Sequence, residues 1–306
     1  MGDFSRRLVW RLNVLVIVSL IGLASSPKLI SYTAINLHPA DKNLFVIVAA
    51  SGFAAGFVFP RIKWLASLDT WLHEYAHAVT AASLGGRPSK IRLAKDMSGL
   101  TNFTFRSNWR FRAVLVSAAG PLASIVTLVV ATRMALAGTS RFFLLMVFAI
   151  ILSVLITTVR SGFGWFVGIL AALATGLCVA ADGGHIPLIH TTNASLILLA
   201  VSVSSAAGVG MREAIRRFRW DSADGDEGKI AAALHVPEKL VDFLITCIHL
   251  VGLWLVYLAV SDLAIDWVQL ANSLDLQTIW KSVTGWLHQV APTIFAGNSL
   301  SVSVRI

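Results

Sequence analysis

Apolar residues recur along this chain in eight long runs, at about 12–27, 43–60, 64–86, 113–132, 142–159, 162–181, 194–211 and 243–261. Each is close to the ~20 residues a helix needs to cross the ~30 Å hydrocarbon layer of a bilayer. Only helices and closed barrels satisfy their backbone polar groups in lipid. The runs lack the two-residue alternation of barrel strands. The pattern predicts an all-α polytopic membrane protein, a bundle of about eight transmembrane helices.

Residues 87–112, between the third and fourth runs, break that pattern. Ile91-Arg92-Leu93 and Thr101-Asn102-Phe103-Thr104-Phe105 alternate on either side of Ser98-Gly99, a turn signal, and together predict a short β-hairpin over 90–105. The linker 212–240 begins with Arg212, Arg216, Arg217 and Arg219 and continues into DSADGDE at 221–227. A short amphipathic helix at about 226–235 is expected to follow, stopping before Pro237. Residues 1–261 are expected to form one transmembrane domain. The tail, 262–306, is weakly periodic and suggests one or two surface helices.

Composition strengthens this picture. Hydrophobic residues make up 56% of the 306 positions and charged ones only 13%, about half the charge of a soluble domain. The net charge of +9 comes from Lys and Arg gathered between the apolar runs, where cytoplasmic loops and lipid headgroups account for them. The chain is therefore expected to meet a lipid bilayer and no nucleic acid. Arg6, Arg7 and Arg11 precede the first run in signal-peptide fashion, and the segment is read as a retained span or interfacial anchor. With strict alternation these arginines and the later basic segments fall on opposite sides, so orientation stays open. Cys178 and Cys247 lie apart in apolar runs and suggest no disulfide framework.

The third run carries Asp69, His73, Glu74 and His77, groups that cost several kcal/mol to bury in lipid without partners. His73-Glu74-Tyr75-Ala76-His77 is an HExxH sequence. Residues i and i+4 share a helix face, so both imidazoles can reach one Zn²⁺. Glu74 projects beside the pair, where it can take a proton from an activated water and hand it to a leaving amine. The plainer alternative is a polar cluster that pairs with other helices or lines an aqueous path, as in a transporter.

A catalytic zinc site takes a third protein ligand and keeps an open position. Asp182 is the leading candidate. It follows the sixth run directly, and Gly183 and Gly184 allow close backbone approach. The motif lies in the first half of the third run, and if runs three to six alternate, the end of the sixth returns to that same side. His185, His190, Asp224 and Asp226 are the rivals. Asp69, four residues before His73, could orient an imidazole from behind. In the fourth run, Ser117 to Ser124 places small residues around Pro121, suited to close packing against the metal helix.

HEYAHAVTAASLGG at 73–86, the hairpin after it and AAGPLAS at 118–124 resemble the site-2 protease class of intramembrane zinc metallopeptidases. They are most similar to its compact, PDZ-less, M50B-like members. The resemblance covers about 64–260 and includes the AAALHVP stretch at 231–237. It implies zinc held by His73 and His77, Glu74 as general base, and a transmembrane protein as substrate in a bacterial-type cell membrane. The family's third ligand is an aspartate in an LDG motif near the end of a later span. Ala181-Asp182-Gly183 is similar to it, with alanine in place of leucine. A degenerate member with a structural or regulatory metal is the alternative.

Overall fold

Every apolar run becomes a helix. The computed structural model describes residues 3–25, 39–60, 62–94, 98–105, 110–182, 194–219 and 225–261, all within one compact unit, Met1–Leu263. In chain order these residues form α1 (Asp3–Ala24), α2 (Pro39–Val58), α3 (Lys63–Ser83), β1 (Arg87–Leu93), β2 (Gly99–Thr104) and α4 (Arg110–Leu136). Then follow α5 (Ser140–Thr157), α6 (Gly162–Asp182), α7 (Ala194–Arg219), the short α8 (Asp226–Leu234) and α9 (Glu238–Ser261). The tail expected to carry surface helices lies outside the described residues.

Six of these helices, α1, α4, α5, α6, α7 and α9, are long and apolar enough to cross a membrane. The chain is an integral multi-pass membrane protein. The expected count of about eight spans is not confirmed, because among the described residues the other two runs fall short of that standard for different reasons. The apolar part of α2, Asn43–Val58, is too short at 1.5 Å per residue for a ~30 Å layer. The α3 helix carries the four ionisable side chains on one flank and depends on its neighbours for shielding.

Two faces of α3 explain its place at the centre. Trp71, Tyr75, Ala78 and Val79, spaced three to four residues apart, join a buried apolar cluster with Ile150, Ile151, Val154 and Leu155 of α5. Tyr75 stacks on Trp71 at 5.5 Å between ring centroids and donates its hydroxyl to Asn13 Oδ1 at 3.1 Å. Asn13 in turn donates to Ser153 Oγ at 3.0 Å, so α1 is tied to both α3 and α5 by satisfied polar groups. His73 and His77 occupy the other face.

Small residues let α2 and α7 come together without a hydrophobic driving force between them. A Cβ at Gly208 would run into Phe53 O and approach Phe57 N to 2.8 Å. Gly208→Leu should therefore force α2 away and destabilise the protein by about 1–3 kcal/mol. Thermal unfolding in detergent would read this as a lowered midpoint, and an unchanged midpoint would mean the two helices are not closely packed.

The hairpin forms as expected, antiparallel, with Ile91 opposite Thr101 and Leu93 opposite Gly99. Pro88 has no N–H to give the ladder, and the register slips between Pro88 and Lys90. The outer edge of β1 is covered. Ile91 N donates to Thr158 O and Arg160 N donates to Ile91 O, both at 3.1 Å. Among the described residues β2 pairs with no strand except β1.

Candidate metal centre

His73 and His77 stand one turn apart on α3, their rings 4.7 Å between centroids and nearly perpendicular. Each Nε2 lies 2.9 Å from the same oxygen, Asp226 Oδ2. Asp226 is the first residue of α8, which docks through Ile230 and Ala231 against Ala214 of α7, Val241 and Ile245 of α9, and Val114, Ala118 and Leu122 of α4. Three side chains from two distant stretches of sequence thus converge, with their ligand atoms all within 4.8 Å of one another. His73, His77 and Asp226 could hold a metal ion.

The hydrogen bonding fits that role. His77 Nδ1 lies 2.6 Å from Val116 O of α4. A carbonyl can only accept, so Nδ1 carries the proton, and a neutral His77 presents its Nε2 lone pair to Asp226. A lone pair facing an anionic oxygen at 2.9 Å requires a proton or a cation between them. A metal ion would supply the cation, and Val116 O fixes the ring that would bind it, as backbone acceptors do behind metal-bound histidines. The other oxygen, Asp226 Oδ1, accepts from the exposed Lys229 Nζ at 2.9 Å.

Glycines bring two backbones against this cluster. A Cβ on Gly120 of α4 would overlap the imidazoles of both histidines. A Cβ on Gly99, at the start of β2, would overlap the Glu74 carboxylate. The hairpin is held there by Thr101 Oγ1, which donates to Glu74 O at 2.9 Å. Glu74 is buried, only 6% exposed. At Pro121 the α4 helix lacks one backbone N–H donor, next to the Gly120 contact. The expected close packing of this small-residue segment on the metal helix is therefore observed.

A small polar cavity of about 30 Å³, enough for a water molecule, adjoins the cluster. It is lined by His73, Asp69, Glu213, Arg217, Glu227 and His249, among others. His249 is buried and its Nδ1 donates to Ile245 O at 2.9 Å, so its unpaired Nε2 is an acceptor. Asp69, open in the sequence to orienting an imidazole or to being a polar residue near the membrane surface, lines the cavity with His73 and hydrogen-bonds Ser124.

The sequence model of the Peptidase M50B-like family matches residues 43–257. The chain belongs to that family. M50B-like membership, together with a site able to hold a metal, points to a membrane metallopeptidase. The matched region contains His73, Glu74, His77 and Asp226, and it begins at the start of the apolar part of α2. Searches among curated proteins and among solved structures returned no match.

Among the described residues Asp226, one of the rivals, is the carboxylate that meets the histidines. The leading candidate, Asp182, is the last residue of α6, and its side chain and contacts lie outside the described residues. So do His185, His190 and Asp224. The depth of the motif favours a carboxylate from α8. His73 sits at the midpoint of α3 and His77 beyond it, closer to the hairpin end. The α6 helix starts at that same end, where Leu93 N donates to Ser161 Oγ at 3.0 Å. Its 21 residues then carry it roughly 30 Å away. The α7 helix runs the other way, and α8 after it returns a carboxylate to the cluster. The signal in the sequence was that Asp226 opens an amphipathic helix able to dock, whereas Asp224 precedes it in a polar linker.

Proposed function

We propose that the protein is a zinc-dependent intramembrane endopeptidase that hydrolyses peptide bonds of transmembrane protein substrates. The observation that carries this is the convergence of His73 Nε2 and His77 Nε2 on one oxygen of Asp226, with Glu74 of the same HExxH helix buried alongside. His73, His77 and Asp226 would hold the ion, Asp226 taking the place expected of Asp182. Two imidazoles and one carboxylate leave a tetrahedral ion one open position, the donor set of a catalytic zinc site.

When bound, the ion supplies Lewis-acid polarisation of the scissile carbonyl and acidifies water. The rest falls to the chain. Glu74 takes the proton of the attacking water and delivers it to the leaving amine. Val116 O keeps His77 in the tautomer that faces the site. The polar cavity beside His73 stores water within an otherwise apolar bundle. Helical carbonyls are occupied by their own hydrogen bonds, so a substrate helix must extend before attack. The far edge of β2, which pairs with no strand among the described residues and is anchored to Glu74 through Thr101, supports strand addition as the means. An apolar cavity of about 830 Å³ reaches Leu72 and Ala76, the residues just before His73 and His77, and supports a membrane segment as the substrate.

Chelation tests this reading. Protein stripped of metal in detergent or bilayers should lose cleavage of a transmembrane substrate and regain it on addition of zinc alone. Cleavage that continues in stripped protein would refute it.

A further inference from the structure

The metal cluster takes two of its three members from α3 and the third from the short helix α8, and α8 must therefore be aimed as well as docked. Its apolar contacts with α4, α7 and α9 hold it to the bundle, yet apolar packing is non-directional. What fixes the first turn is polar. Glu227, next to Asp226, is only 3% exposed and accepts a hydrogen bond from Arg217 Nη1 of α7. Arg217 Nε also faces Glu213 one turn earlier on α7, at 3.5 Å. The carbonyls of Arg217 and Phe218 at the end of α7 accept from Lys239 Nζ of α9 at 3.2 and 3.1 Å. Adjacent helical residues point about 100° apart, so one turn of α8 is pinned toward α7 by Glu227 while Asp226 is turned toward α3.

We infer that Arg217 and Glu227 are the positioning pair of the metal centre: their ion pair sets the rotation and depth of α8 that bring Asp226 to His73 and His77. The inference deepens the proposed metallopeptidase reading and rests on it. A buried ion pair is a poor source of net stability, because desolvating two charges offsets most of their attraction. Its value here is directional, since the planar guanidinium accepts few geometries. Both residues line the small polar cavity next to His73, and no other ion pair among the described residues joins α7 to α8. The pair touches no ligand atom and acts only through the backbone that Glu227 shares with Asp226.

Zinc affinity, measured by competition with a chromogenic chelator on the purified full-length protein, separates positioning from support. Arg217→Gln and Glu227→Gln should each weaken zinc binding about 10- to 100-fold, as loss of groups behind metal ligands does. Glu227→Gln is isosteric and leaves Arg217 its second partner, Glu213, so the protein should stay folded with a modestly lowered thermal midpoint while its affinity falls. Arg216→Gln removes a partner of Glu213 that makes no contact with α8, and its affinity should match the wild type. Wild-type affinity in Glu227→Gln would overturn the inference, even if Arg217→Gln were weakened. Equal weakening in Arg216→Gln would overturn it as well. If the wild-type protein takes up no zinc, the metallopeptidase reading fails, a result distinct from either of these.

Discussion

Replacing Glu74 by Gln is expected to leave zinc bound and to slow substrate cleavage by about a thousandfold, within the usual range for loss of a general base. Glu74 is not among the three residues whose ligand atoms cluster, so the ion should not depend on it. Gln has the same shape and fills the same space beneath Gly99, where even one added carbon would collide with the carboxylate. The Thr101 hydroxyl bonds to the Glu74 backbone carbonyl, and that anchor survives the change. What disappears is a group that can accept a proton. Elemental analysis and single-turnover cleavage on the same preparation make the comparison. Unchanged zinc with cleavage at the wild-type rate would remove Glu74 from the chemistry.

Gly120→Val should abolish zinc binding while sparing the fold. The backbone of α4 passes so close to the metal face of α3 that any Cβ at 120 overlaps both imidazoles. A β-branched side chain at this position has few rotamers with which to avoid the clash. The rings would have to rotate, which breaks the bond from His77 Nδ1 to Val116 O and turns both Nε2 atoms away from Asp226. The apolar face of α3 lies on its opposite side and is untouched, so the bundle should still assemble at a cost of about 1–3 kcal/mol. Gly176→Val in α6 is the matched control. A Cβ there makes only an ordinary contact with Phe148, at 3.6 Å, and zinc content should be unchanged. Full zinc occupancy in Gly120→Val would show that the site lies elsewhere.

Much of the bundle was legible because lipid imposes simple rules. Runs of apolar residues had to become helices, and each did. The hairpin was legible through alternation around Ser98-Gly99. The histidines and Glu74 were legible because ionisable groups at i, i+1 and i+4 of an apolar run need a reason to be there. Span number was less legible. Hydrophobic length alone does not distinguish a crossing helix from one such as α2, whose apolar part stops short, or α3, which is shielded by protein.

The third carboxylate was the least legible feature, and the reason is topological. Alternation of runs predicts which end of the bundle a residue reaches, but not how deep a motif sits within its own helix. Reading the HExxH as lying in the first half of its run favoured Asp182 at the end of α6, whose side chain lies outside the described residues. The motif in fact lies from the midpoint onward, within reach of α8. Val116 O was illegible for a different reason: a backbone acceptor leaves no mark on residue identity. The Arg217–Glu227 pair could be seen only as charges in a linker until α8 was found docked against α7.

The central claim is that His73, His77 and Asp226 together hold the ion, and metal stoichiometry tests it most directly. Wild type, Asp226→Ala and Asp182→Ala would be purified in parallel, exposed to zinc, desalted and analysed for bound metal. The account predicts about one zinc per chain in the wild type and in Asp182→Ala, as for a single mononuclear site, and close to none in Asp226→Ala. Zinc retained in Asp226→Ala and lost in Asp182→Ala would contradict it and return the third ligand to the end of α6.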